Sequence, residues 1–110
     1  MKDTEIRNCL VVVVSKENHL ADRIEAYAKQ NGLQIVETIF KDDRAIDKLK
    51  YYIEREDIIC ILVRSIWDIS TDEDVLKSVM RMAADHNISI NEEGRNFEPA
   101  VIVFGGAERY

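Results

Sequence analysis

The sequence is poor in the residues that interrupt structure. One proline and four glycines among 110 residues leave no flexible linker, collagen-like repeat or low-complexity tract. Two cysteines are too few for a disulfide framework, and their default setting is a reducing cytoplasm. The longest apolar runs, Cys9 to Val14 and the equally long Ile58 to Val63, are far short of the roughly 20 residues that a membrane helix needs. Met1-Lys2-Asp3-Thr4-Glu5 is charged and has no apolar stretch behind a basic start, so neither a signal peptide nor a membrane partner is expected. A formal net charge of −6 argues against binding DNA through bulk electrostatics. What is present, 46% hydrophobic and 33% charged residues, suits one globular domain over residues 1–110.

The order of hydrophobic patterns gives the architecture. Cys9 to Val14 is a β-branched run, apolar on both faces, as in a central strand covered by helices on each side. After Ser15 the period changes: Leu20, Ile24, Tyr27 and Ala28 mark one helical face, stopped by Asn31-Gly32. Leu33 to Phe40 reads as a second strand, partly alternating. Ile46, Leu49 and Ile53 mark a second helix over about residues 43–56. Ile58 to Val63 repeats the signature of the first strand and is expected beside it. Ser70-x-x-Glu73 reads as a capping box opening a third helix, whose buried stripe is Val75, Leu76, Val79, Met82 and Ala83. Asn87 closes that helix, Ile88 to Ile90 is a short strand, and Ala100 to Phe104 is another. The order β-α-β-α-β-α-β-β predicts a three-layer αβα domain with a mostly parallel sheet and right-handed crossovers.

In open α/β sheets chemistry gathers at the carboxyl ends of the strands. Here those ends carry Ser15-Lys16, then Lys41-Asp42-Asp43-Arg44, then Arg64-Ser65-Ile66-Trp67-Asp68. A serine among lysine, arginines and carboxylates has the residue types of a nucleophile with an anion-binding surround. Equally, serine is a favoured cap for the helix that follows. No glycine-rich phosphate loop or nucleophile elbow is present.

Val13-Val14-Ser15 followed by Leu20 to Gly32 and Leu33 to Phe40 resembles the catalytic domain of serine recombinases, the resolvase/invertase family. In that family the first strand ends in Arg-Val-Ser or Arg-Ile-Ser, and the serine attacks a DNA phosphodiester. The ending Ala-x-x-Asn-Gly-aliphatic of the next helix is similar to Ala28-Lys-Gln-Asn31-Gly32-Leu33. The family's acidic residue after the second strand and following arginine match Asp42 or Asp43 and Arg44. The resemblance covers about residues 8–90 and implies Ser15 as nucleophile, Arg44 as a phosphate contact and Asp43 as the acidic position.

The departures bear on function. The arginine two positions before the serine is Val13, the Asp-Arg pair of the segment after the third strand is Trp67-Asp68, and the second arginine there is Thr71. Those guanidinium groups hold the scissile phosphate in the family, and losing one such donor costs about 100- to 1000-fold in rate. The long dimerisation helix has no counterpart in these residues, and no helix-turn-helix DNA-binding domain is expected. The expectation is a recombinase-like domain that is not catalytically competent, acts through protein contacts or self-association, and needs no cofactor. A DNA-cleaving recombinase fragment using Ser15 is the alternative, and a flavodoxin-like small-molecule or nucleotide-binding domain is the second.

Other residues invite bland readings. Cys9 and Cys60 lie in apolar strands, where free cysteine packs as a small hydrophobe, and zinc-site spacing is absent. His19 is a candidate base or a solvated first-turn residue. Asp72-Glu73-Asp74 fits a helix dipole. Ile66-Trp67 follows a strand, either as a partner interface or folded back over the sheet end. The strand from Ala100 to Phe104 would add an apolar edge, so at least a homo-dimer is expected.

Overall fold

A computed structural model of the chain describes residues 7–15 and 19–100. The elements are β1 (Asn8–Val13), α1 (Leu20–Gln30), β2 (Gln34–Phe40), α2 (Ala45–Arg55), β3 (Cys60–Val63), α3 (Glu73–Asp85), β4 (Ser89–Glu92) and β5 (Glu98–Pro99). They form one sheet in the order β2-β1-β3-β4-β5. The first four strands are parallel, and β5 runs antiparallel to β4. No described helix is long and apolar enough to cross a membrane.

The pleat of β1 sorts the core into two halves. Leu10 and Val12 face α2 and α3, packing with Leu49, Ile53, Leu76 and Val79. Cys9, Val11 and Val13 face α1, packing with Leu20, Ile24 and Ala28. This makes three layers, with two helices on one face and one on the other. A strand buried on both sides has to be apolar at every position, which explains the unbroken run the sequence shows. As expected, β1 is central and β3 lies parallel beside it, Cys9 opposite Cys60 and Val12 opposite Val63.

The edge strand β2 carries an irregularity. Cys9 pairs with Ile35 but Leu10 with Glu37, so Val36 is an extra residue in the ladder and is left exposed. Beyond the bulge, Glu37 accepts hydrogen bonds from the Tyr52 hydroxyl at 2.7 Å and Lys48 Nζ at 3.0 Å, both on α2. On the opposite face Thr38 donates to Glu25 of α1.

The helix ends correct two expectations. Residue 72, not 70, caps α3: Asp72 Oδ1 accepts from the amides of Asp74 and Val75. Ser70 Oγ instead accepts from the Asp72 amide at 3.0 Å, one residue too early for a capping box with Glu73. Nor does Ser15 cap α1. That helix starts at Leu20 after His19, which is left-handed and makes no side-chain cap bond. Asn31-Gly32 and Asn87 do close their helices as expected, Gly32 and Asn87 with φ of 73° and 60°. The final strand was expected at Ala100 to Phe104; residues 101–104 lie outside the described residues. The antiparallel partner of β4 that is described is Glu98–Pro99, and it is followed by a bond from the Ala100 amide to the Ile90 carbonyl.

Urea unfolding checks the two terminators. Asp72→Ala is expected to cost about 1 kcal/mol and Ser70→Ala less than half as much. A Cβ at Gly32 would meet no atom within 4 Å, so Gly32→Ala is expected to cost about 1–2 kcal/mol from left-handed backbone strain alone.

Candidate functional site at the carboxyl edge of the sheet

The chain leaves β1 toward β2 on one side, then crosses back to β3 on the other. Strand order reverses between β1 and β3, and the crevice outside their carboxyl ends is where such sheets bind ligands. Ser15 stands two residues beyond Val13 at this place and is half-buried. Arg64 follows Val63 on the adjacent strand. The structure therefore brings Ser15 and the Arg64–Asp68 segment to the same edge. Lys16 lies outside the described residues.

The segment after β3 is held from three directions. Ser65 Oγ accepts from the Trp67 amide at 3.2 Å and so caps a short 3-10 turn, Ile66–Asp68. Glu92 Oε2, at the end of β4, accepts from the Ile66 amide at 2.9 Å. Arg64 Nη2 donates to Asp68 Oδ1 at 2.6 Å. These bonds turn Ile66 inward, where it packs under α2 and α3, and push Trp67 out, 43% exposed. Ile66 therefore does not belong to a surface patch, contrary to the expectation that paired it with Trp67. Asp68 is only 3% exposed, so it does not project a free charge into the crevice. Its Oδ2 is buried without a hydrogen-bond partner among the described residues, and the carboxylate depends on Arg64.

A second ion pair closes the edge from the α1 side. Arg23 binds Glu93 through two parallel bonds, Nε to Oε2 at 3.0 Å and Nη2 to Oε1 at 2.8 Å. This bidentate form is the strongest geometry open to arginine and carboxylate. It holds the Glu93 carboxyl below its usual range, mainly through the Arg23 hydrogen bond. Glu37 is lowered likewise, first by the Tyr52 hydroxyl and then by Lys48.

The other sequence candidates stand apart from this cluster. Asp42 Oδ1 accepts from the Arg44 amide at 2.8 Å, which shapes the turn into α2. Asp43 is exposed in that turn. Arg44 is exposed as well and lines a shallow groove with Asp47, Lys48 and Tyr51 of α2. His19 pairs with Asp22 at 3.1 Å on the surface of the first turn. No cluster of three metal-ligating side chains occurs among the described residues.

Arg23, Glu92 and Glu93 were missed by the sequence reading. Ending the fourth strand at Ile90 rather than Glu92 hid the two glutamates that stand at its carboxyl end. Glu92-Glu93 directly after an apolar strand was the available signal. In comparisons with known proteins, no family model and no curated protein matches this chain.

Chemically, the described edge offers paired charges and exposed apolar surface rather than a cradle of unpaired cations. Truncating Arg64 leaves a buried carboxylate unpaired, whereas truncating Asp68 leaves a half-exposed arginine that water can solvate. Arg64→Ala is accordingly expected to cost about 2–3 kcal/mol and Asp68→Ala clearly less, measured by urea unfolding. Glu93 and Glu37 titrate lower in the folded chain than in the unfolded one. Their contribution is present above the unfolded carboxyl range and is lost as pH falls through the folded value. The stability difference between wild type and Arg23→Gln is expected at neutral pH and should shrink as pH falls through the folded Glu93 value, below the ordinary carboxylate range.

Proposed function

We propose that this chain is a serine-recombinase-like domain that does not cut DNA and works through protein contacts, self-association foremost. The observation that carries this reading is Trp67. Its indole is exposed beside the switch point, and Val14 at the end of β1 is 39% exposed at the same edge. Large aromatic side chains in such positions are the usual anchors of protein interfaces. The neighbouring guanidinium groups support the same reading, since Arg64 and Arg23 are each bound to a carboxylate. A phosphodiester would have to displace those partners, one of them buried. The interface expected at Ile66-Trp67 accordingly rests on Trp67 and Val14.

The strand order favours one other reading, since a β1/β3 switch point is where small ligands bind in doubly wound sheets. Nucleotide titration with Trp67 fluorescence separates the two: a saturable change at stoichiometric protein would favour the small-molecule reading.

Sedimentation over a range of concentrations is expected to show a dimer that Trp67→Asp weakens at least about tenfold, with Ser15→Ala unchanged. A monomer at every concentration would remove self-association from the proposal. Incubation with supercoiled plasmid is expected to give neither nicking nor a covalent Ser15 adduct. Two missing phosphate donors alone imply slowing by about 10⁴-fold or more. Nicking that Ser15→Ala abolishes would instead establish the DNA-cleaving alternative.

A further inference from the structure

The two cysteines occupy matching positions on neighbouring strands. Cys9 of β1 is paired in register with Cys60 of β3, and both side chains lie in the half of the core beneath α1. Adjacent strands run about 4.8 Å apart, inside the Cα separation of roughly 4.4–6.8 Å that a disulfide spans. Both thiols are free, and the backbone already holds them at bridging distance.

Their surroundings differ in a useful way. Cys9 is fully buried, while Cys60 is 7% exposed. Cys60 lines a cavity of about 210 Å³ with Arg7, Tyr27, Asn31, Ser89 and Asn91. Part of the polar lining comes from β4, whose residues on this side are Ser89 and Asn91 rather than aliphatics. Cys60 therefore borders a polar cavity that Cys9 does not line.

The two thiols are also electronically unequal. Cys60 is held below the ordinary thiol range because the Cys9 S–H donates to its sulfur, with the charge of Arg7 adding and burial opposing. The same bond and burial push Cys9 up. A thiolate is the species that attacks peroxides.

We propose that Cys9 and Cys60 form a reversible redox pair, in which a small hydroperoxide oxidises Cys60 and Cys9 resolves it as an intrachain disulfide. The Cys60 thiolate attacks the terminal peroxide oxygen, forming an S–O bond as the O–O bond breaks. The leaving alkoxide or hydroxide takes the proton released by Cys60. The Cys9 sulfur then gives up its proton and attacks the sulfenic sulfur. An S–S bond forms, the S–O bond breaks, and the hydroxide departs with that proton as water. Two thiols are oxidised to one disulfide, and one hydroperoxide is reduced to an alcohol (water for hydrogen peroxide) and water.

The test treats the full chain with hydrogen peroxide and follows intact mass, free thiols and non-reduced peptides. The expected result is loss of two hydrogens and of both thiols in a monomeric product, a Cys9–Cys60 linked peptide, and full reversal by dithiothreitol. Cys9→Ser should stop at a Cys60 sulfenic acid that dimedone traps, and Cys60→Ser should leave Cys9 unreacted. The linked peptide in the wild-type chain decides the matter even if a serine variant fails to fold. Both thiols surviving treatment that oxidises a model thiol, or Cys60 going to sulfinic acid without a disulfide, would overturn the proposal, as would exclusively interchain linkage.

Discussion

The fold depends on the burial of β1 from both sides. Its residues from Cys9 to Val13 are shielded by α1 on one face and by α2 and α3 on the other. Burying a single side chain of this kind is worth roughly 1.5–3 kcal/mol, and five in sequence fix both the strand and its neighbours. Slipping β1 by one residue would exchange the two half-cores, but the chain would still be apolar at every position. Register must therefore be set elsewhere, by the bulge at Val36, the Glu37 bonds to α2 and the Thr38 bond to α1.

The carboxyl edge is shaped by a different principle. Its backbone turns are tied by carboxylates and hydroxyls, with Glu92 on the Ile66 amide and Ser65 on the Trp67 amide. Its arginines are tied by acids, Arg64 by Asp68 and Arg23 by Glu93. Such a network holds loops in one conformation while using up the groups that would greet an anion. Ser15, just past the carboxyl end of β1, stands at this edge where Arg23 and Arg64 are already paired with carboxylates.

Much of the layered fold was legible because it rests on period and run length. The two doubly buried strands, the helical stripes and the Asn-Gly and Asn stops all follow from patterns within a few residues. What escaped was set by contacts distant in sequence. Ile66 and Trp67 are both large and apolar, and only Glu92, 26 residues away, helps decide which of them turns inward. Asp68 reads as an exposed acid until Arg64 and the fold around it are known. The cap of α3 moved from Ser70 to Asp72 because three consecutive polar residues offered competing starts, and the side chain that reaches two amides prevailed. Ser15 stands five positions before α1, whose N-cap position is His19.

The sheet is clothed unevenly, with two helices over one face and one over the other. Where no described helix lies, β4 presents Ser89 and Asn91, which bond to each other and to the Phe97 carbonyl, while Tyr27 and Phe97 stack at 3.8 Å across the gap. Exchanging Ser89 and Asn91 for aliphatics would remove these bonds and make that flank of β4 apolar, a surface that favours contact with a further apolar element.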